Sequence, residues 1–432
     1  MQKTQKLLLA AIIQAAILPT AFASEQSESK GLLEDAEGTV LFRTGFLDRD
    51  KKQGLDDTRS SAQTAMVKLE TGFSEGVVGF GAGVIGDWSF KLGANDHAGN
   101  QMIPRDKNGN TLNQWTRGGG FVKARISNTT ATYGTQVLDI PVFASNTVRL
   151  VPEYFTGVLI ESNEIDNLNL IAGKFTKNQM SHQISTDGND LIRAYVWGAK
   201  YKFNDQLNAS YYGLDSKKKL ERHFINTNYT YNLKDDASLN IDFSGYHTKF
   251  DKDAETESQI INNSETRKNS IWALSSTYSK DAQSVMLAYQ QNSGNTGYDY
   301  GYNADGFQSI YLPNSYLSDF NGNHEKSLGL QYHYNFKNHG LPGLSWTNAF
   351  VYGWDIKVSD PNNRANLLDT AEEHEFFSQL KYTVQSGPMK DSSLRLRHSY
   401  LRTSNTYATT GNNAIGSTNE WRIWLDIPVK LF

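Results

Sequence analysis

The chain has 432 residues, a formal net charge of −4 and no cysteine, which excludes a disulfide framework and a thiolate metal site. Its mean hydropathy of −0.55 is that of a soluble protein, but a transmembrane β-barrel also keeps a low mean because each strand alternates a lipid face with a wet face. The 12% aromatic content fits the interfacial girdles of such a barrel and equally a soluble lectin or solenoid, so composition leaves both classes open.

The first residues predict export. Lys3 and Lys6 form a basic start, residues 7–17 are mostly apolar, and Ala21-Phe22-Ala23 is a small-residue cleavage site. We therefore predict a signal peptide over residues 1–23 and one mature domain over residues 24–432. No later apolar run is long enough to predict a membrane-spanning helix.

The rest of the chain reads as short alternating segments separated by Gly, Asn and Asp clusters. In 65–73, 121–127 and 394–400, apolar side chains take every second position and more polar ones the positions between. Predicted connections alternate between short ones (74–76, 166–167, 234–236, 387–388) and long ones (93–118, 138–153, 249–268, 294–325, 358–373). This predicts an all-β fold, a transmembrane antiparallel barrel of about 18 strands with short turns at one end and long loops at the other.

The end of the chain supports the same class. A terminal aromatic residue such as Phe432 is typical of outer-membrane barrels, where it helps recognition by the barrel-assembly machinery. Strict alternation over 421–432 would point Phe432 inward, and we expect a bulge at Pro428 to reset it.

Motifs for catalysis are weak. Gly72–Gly76 matches the G-x-S-x-G nucleophile elbow, but alternating strands flank it, which predicts that Ser74 lies in a hairpin turn. Residues 106–110 faintly resemble a calcium loop, yet Arg117 stands where the bidentate glutamate would be required. We expect no catalytic residue, no metal and no cofactor.

Basic residues inside the strand-like segments are more informative. A charge on the lipid face costs about 2–4 kcal/mol at the bilayer midplane, so these side chains should face the lumen. Two interpretations stay open: lumen charges balanced by acids, or a cationic track that attracts and guides anions. The residues are Arg43, Lys68, Lys123, Arg125, Lys200, Lys381, Arg395, Arg397 and Arg422.

Four stretches carry a family resemblance: Leu69–Gly81, Lys123–Thr129 with Tyr133-Gly134, Leu312–Gly322, and Lys381–Pro388. Through them the chain resembles the OprD-type outer-membrane channels, the substrate-specific carboxylate porins. The resemblance implies an eighteen-stranded barrel whose third and seventh extracellular loops fold inward. It also implies a ladder of basic residues on one wall that faces an electronegative patch.

Carried over residue by residue, the resemblance implies a basic ladder of Arg43, Lys123, Arg125, Lys381, Arg395, Arg397 and Arg422. It implies a constriction made by Asn146 and Arg149 in the first inward loop and by Ser315, Ser318 and Asp319 in the second. Where the family often has a tyrosine and an aspartate in the first loop, this chain has Ser145 and Thr147. The missing acid favours simple or aromatic carboxylates over basic amino acids, although Asp319 could still serve a cation.

The predicted function is selective passive diffusion of small carboxylates (aromatic or other organic acids, or amino acids) across the outer membrane of a Gram-negative bacterium. The alternatives are a general, weakly selective porin, and an enzyme or adhesin built on a barrel. The expected partners are small anionic solutes, outer-membrane lipid and lipopolysaccharide, and the barrel-assembly machinery. No nucleic acid is expected, and the barrel is expected to be a monomer or a weak trimer.

Overall fold

The computed structural model describes residues 24–94, 99–186, 190–252, 254, 267–300, 309–358, 360, 368, 371–409 and 415–432. The predicted signal peptide, residues 1–23, lies outside the described residues.

Alternating segments form eighteen strands in one sheet. They are β1 Glu37–Lys51, β2 Thr58–Glu70, β3 Val78–Lys91, β4 Gln114–Ile126, β5 Thr129–Gln136, β6 Tyr154–Ile165, β7 Leu168–Gln179, β8 Ala194–Lys202, β9 Leu207–Ser216, β10 Leu220–Asn232, β11 Ser238–Phe250, β12 Arg267–Lys280, β13 Gln283–Gly294, β14 Lys326–Asn335, β15 Leu344–Ile356, β16 Ala371–Thr383, β17 Ser393–Thr403 and β18 Thr418–Lys430. Each strand pairs antiparallel with its sequence neighbours, and β1 also pairs with β18. The sheet therefore closes, which leaves no open edge and confirms the predicted barrel.

Side-chain alternation sets the two faces of the wall. In β17, Leu394 and Leu396 lie on the outer surface with 49% and 37% of their area exposed, whereas Arg395 and Arg397 line the inside. A strand has a period of two, so this division repeats along its length. The exposed apolar side chains are those that meet lipid, and the lumen collects the charges.

The two ends of the barrel differ. At one end, the turn end, the connections are short: 71–77, 127–128, 166–167, 203–206, 233–237, 281–282, 336–343 and 384–392. At the other, the loop end, nine connections L1 to L9 span 52–57, 92–113, 137–153, 180–193, 217–219, 251–266, 295–325, 357–370 and 404–417.

Most predicted connections fall where the strands end, with two exceptions. The predicted loop 93–118 ends too late, because β4 already begins at Gln114. The long connections L4 and L9 were not predicted. Within the described ranges, helical structure is a 3₁₀ turn at Phe336–His339 and a short helix α1 at Asn405–Thr409. No described helix is both long and apolar enough to cross a membrane.

The C-terminus departs from the expected bulge. β18 stays in one continuous register with β1, from Thr39 opposite Lys430 to Lys51 opposite Thr418, so the predicted reset at Pro428 is wrong. Phe432 follows the end of the strand and is free of its alternation. Its ring fills the space beside Gly38, where an added Cβ would lie 2.7 Å from Cζ of Phe432. Glycine at position 38 makes room for this aromatic ring.

Candidate functional site

L3 packs inside the barrel. Phe143 lies against Phe155 and Phe175 of the wall, with ring centroids 4.2 and 5.2 Å apart. The loop also closes on itself, because the backbone N–H of Asn146 donates to Glu153 (3.0 Å) and its side-chain oxygen accepts from the N–H of Val148 (3.0 Å). Asn146 is buried and is directed into its own loop.

Arg149 connects L3 to L2. Its guanidinium is buried and donates to the carbonyl of Asn100 (2.9 Å) and the side chain of Gln101 (3.2 Å). Burial, together with the charges of Arg422 and Arg49, lowers the pKa of Arg149. The Arg149 carbonyl accepts from Arg43 (3.3 Å), so L3 also presents backbone oxygen to the basic wall.

L7 is held by two buried glutamates of β16. The N–H groups of Leu317 and Ser318 donate to the Glu375 carboxylate (3.0 and 2.9 Å). The hydroxyl of Ser318 donates to Glu373 (2.6 Å). Buried charge is tolerated when hydrogen bonds satisfy it, and here the loop backbone supplies them. This arrangement fixes the position of L7 in the lumen.

Asp319 lies beside that anchor. It accepts hydrogen bonds from the hydroxyls of Ser315 and Tyr300, both on L7. Burial raises the pKa of the Asp319 carboxyl, although these two hydroxyls act in the opposite direction.

Between L3 and the wall of β1, β17 and β18 lies a cavity of about 440 Å³, which we call the arginine cavity. Five arginines line it, together with apolar side chains that include Leu41, Met66 and Trp424. The five are Arg43, Arg149, Arg395, Arg397 and Arg422. Apart from Arg149, all belong to the ladder that the resemblance implies.

Two of these arginines are held by acids. Arg43 makes two hydrogen bonds to Asp426 (2.7 and 3.0 Å). Arg422 contacts Glu420 (3.0 Å from Nη2), which also accepts from Arg49 (2.7 Å). Paired cations of this kind hold a charge in place and have fewer donors left for a solute.

Arg395 and Arg397 are different. Nε and Nη2 of Arg397 are buried without a hydrogen-bond partner in the described part of the chain, and its guanidinium lies over the Phe377 ring at 4.8 Å. Arg395 forms no ion pair with any described residue. Buried donors normally have a partner, so Arg397 is the exception in this cavity, and Arg395 beside it has no acid bound to it among the described residues.

The remaining ladder residues lie toward the turn end. Lys123 pairs with Glu70 at 2.9 Å, and Arg125 lies over the Phe73 ring at 4.1 Å. Lys381 is exposed to the lumen and lies opposite Arg395 in the register of β16 and β17. The structure thus groups four ladder arginines around one cavity and places the other three residues nearer the turn end.

A segment before β1 reaches into the turn end of the barrel. Gln26 is buried, accepts from Arg125 Nε (3.1 Å) and donates to the carbonyls of Ser74 and Gly76 (2.9 and 3.1 Å). Its side chain fills the space over Gly79, where a Cβ would lie 2.3 Å from Oε1. Sequence reasoning missed Gln26, because no local pattern links it to Arg125, which lies 99 residues further along the chain.

A second cavity, of about 580 Å³, adjoins the first, since Val137 lines both. Its charged lining residues have mixed sign: Lys68, Glu70, Lys123, Asp139 and Glu161. Both cavities lie beside L3, which contributes Val137 to each lining.

The serine of the G-x-S-x-G motif lies in the β2–β3 turn. The backbone N–H of Ser74 donates to the Phe80 carbonyl (2.9 Å), and its hydroxyl oxygen accepts from the Phe80 N–H (3.0 Å). Over the described residues, no group of three or more His, Asp and Glu side chains could hold a metal ion.

A closed barrel with an apolar outer face, a charged lumen and two loops folded into that lumen defines a diffusion channel of the outer-membrane type. The sequence profile described as outer membrane porin, OprD family, matches residues 30–431. Porin D of Pseudomonas aeruginosa is 34% identical over 433 residues, covering 95% of this chain and 94% of that protein.

Solved structures agree. The crystal structure of Acinetobacter baumannii OccAB1 superposes with a TM-score of 0.90 at 62% identity, covering 95% of this chain and all of that one. Pseudomonas aeruginosa OprD superposes with a TM-score of 0.77 at 31% identity, covering 96% of this chain and 100% of that one. The chain belongs to the OprD family of outer-membrane porins. It is therefore a channel of the Gram-negative outer membrane and not an enzyme.

Proposed function

We propose that this porin selects small carboxylates and that the arginine cavity is where it does so. The observation that carries the proposal is that Arg395 and Arg397 have no acid bound to them among the described residues. The other wall arginines of the cavity, Arg43 and Arg422, are already bound to acids. A carboxylate offers two oxygens in the geometry that guanidinium groups bind best.

The acid-bound arginines and the arginines without a bound acid would act differently on a carboxylate that crosses the pore. The fixed charges of Arg43 and Arg422 raise the local concentration of anions, and Arg395 and Arg397 exchange hydrogen bonds with the carboxylate as it passes. Such binding must stay weak enough for the solute to leave. Ser315 and Asp319 are hydrogen-bonded to each other, so they hold the shape of L7 and leave contact with the solute to the arginine cavity.

The lining also indicates the body of the solute. Leu41, Met66 and Trp424 give the arginine cavity an apolar side next to its charged one. With Thr147 at the position where relatives often carry an acid, the cavity suits organic acids with an apolar or aromatic body better than basic amino acids.

Paired solutes test the proposal. We expect Arg395→Gln with Arg397→Gln to lower the flux of benzoate relative to benzamide into proteoliposomes by at least about tenfold, because each charge-assisted hydrogen bond contributes about 1.5–3 kcal/mol. Arg59→Gln is the matched control, since Arg59 is exposed and pairs with Asp48 away from the cavity (3.0 Å). An unchanged benzoate-to-benzamide ratio in the folded double variant would favour a general, weakly selective porin instead.

A further inference from the structure

The outer face of the barrel is polar at the loop end of β10, β11 and β12. Arg222, Thr248 and Arg267 point inward and are buried, so the residues that alternate with them point outward. The outward set is Glu221, His223, His247, Lys249 and Lys268.

Two of these outward residues carry the same charge side by side. Lys249 and Lys268 are directly opposite each other in the register of β11 and β12, and both are exposed. Neither forms an ion pair with a described residue. Like charges that face each other across strands are destabilising, so this arrangement calls for a neutralising anion.

Two other outward cations at the loop end have acidic partners in the protein. Arg59 binds Asp48 (3.0 Å), and Lys326 binds Asp355 (2.7 Å). Glu221 is opposite Lys249 on β10, but its carboxylate lies 3.3 Å from the ring nitrogen of His223. Among the described residues, Lys249 and Lys268 are therefore a cation pair without an acid between them.

Their height on the barrel indicates the kind of anion. Trp272 lies on the outer face of β12 four residues below Lys268, about 13 Å along the strand. Tyr211 stacks on His223 at an interplanar angle of 18°. Outward aromatic residues mark the edge of the hydrocarbon layer, which puts the two lysines at the level of lipid headgroups.

We propose that Lys249 and Lys268 form a binding site for a phosphate group of lipopolysaccharide. With the loop end facing outward, as the asymmetry of turns and loops predicts, the lipid beside this patch belongs to the outer leaflet, whose main lipid carries phosphate on its sugar headgroup. L5 adds two exposed lysines, Lys217 and Lys218, next to the same strands. One phosphate between Lys249 and Lys268 removes their mutual repulsion.

Native mass spectrometry of the detergent-solubilised barrel tests the site with bis-phosphorylated lipid A as the probe. We expect Lys249→Gln with Lys268→Gln to lower the fraction of barrel carrying lipid A by at least fivefold. Lys337→Gln is the control, because Lys337 is an exposed lysine at the turn end. Unchanged single-channel conductance shows that the double variant is folded, since neither lysine faces the lumen.

Dephosphorylated lipid A and inorganic phosphate are two further probes, which distinguish a site for the lipid headgroup from a site for free phosphate. Removing the phosphates from lipid A should weaken its binding to the wild type. The remaining binding should be no stronger than that of phosphorylated lipid A to the double variant. Equal retention of both lipids, or equal retention by both proteins, overturns the site. Full displacement of lipid A by millimolar inorganic phosphate would also overturn it, because the site would then recognise a free anion rather than the lipid.

Discussion

At the scale of single residues, the structure separates arginines whose guanidinium groups are bound within the protein from those that have donors left over among the described residues. Arg43 and Arg149 are engaged with Asp426 and with L2, whereas the Nε and Nη2 atoms of Arg397 have no partner among the described residues. All three are the same residue type in the same cavity. The difference in their roles lies in what each guanidinium contacts.

Asp319 gives the pore a predicted pH dependence. Burial raises the pKa of its carboxyl, so Asp319 takes up a proton at a higher pH than an exposed aspartate and then loses its negative charge. The anion-to-cation permeability ratio should therefore rise as the pH falls through the raised pKa of Asp319. A unit charge near the path contributes about 1 kcal/mol, or a factor of about five.

Reversal potentials under a salt gradient measure this ratio. Asp319→Asn should have the high ratio at every pH in the range. Asp106→Asn is the control, because hydrogen bonds from the Asn110 and Asn108 backbone lower the pKa of Asp106 at the exposed tip of L2. A pH response that persists in Asp319→Asn assigns the titration to another group.

Glu375 is predicted to hold L7 in the lumen. Glu375→Gln keeps the shape of the side chain but loses the charge that accepts from Leu317 and Ser318, hydrogen bonds of about 1.5–3 kcal/mol. We expect more frequent current fluctuations in single-channel recordings and a higher mean conductance. The neighbouring Glu372→Gln should behave as the wild type, since Glu372 points outward and binds Tyr352 (2.6 Å). Quiet recordings from Glu375→Gln would show that L7 does not depend on this anchor.

At the scale of elements, L3 is predicted to be the main obstruction. Deleting 142–148 removes Phe143, whose ring packs against Phe155 and Phe175, and opens the space between L3 and the arginine wall. Single-channel conductance should rise severalfold and the preference for carboxylates should disappear. A deletion of 107–109, at the exposed tip of L2, is the matched control. If a folded barrel without 142–148 conducts as the wild type does, L3 is not the constriction.

Strand alternation predicted which side chains of β17 face the lumen, because a strand has a fixed period and lipid tolerates few charges. The inward position of L3 and L7 came from the family resemblance and could not come from the residues alone. The orientation of Arg149, the anchoring of L7 by Glu373 and Glu375, and the reach of Gln26 all depend on contacts between segments far apart in sequence. Local patterns carry no information on such contacts.

The position of Phe432 at the end of the chain was also not predictable from local alternation. Alternation over 421–432 predicted an inward Phe432 unless a bulge intervened, yet the strand is regular and simply stops before this residue. Phe432 is 58% exposed, so its ring is not buried in the lumen.

At the scale of the whole molecule, the predicted orientation places the turn end in the periplasm and the loop end outside. Lys107→Cys in L2 and Ser386→Cys in the β16–β17 turn put single thiols at exposed positions of opposite ends. The chain has no native cysteine, so each label reports one site. On intact cells an impermeant maleimide should label only Lys107→Cys, and both should react after lysis. Labelling of Ser386→Cys alone on intact cells would invert the topology.

The most direct measurement of the central claim is anomalous diffraction from crystals soaked in para-bromobenzoate. We predict a bromine peak in the arginine cavity, on its apolar side near Met66 and Trp424, with the carboxylate within about 2.7–3.2 Å of donors on Arg395 and Arg397. The same soak of the Arg395→Gln, Arg397→Gln barrel should lose that peak. Bromine bound elsewhere in the lumen with the arginine cavity empty, or an equal peak in the double variant, would contradict carboxylate selection by these two arginines.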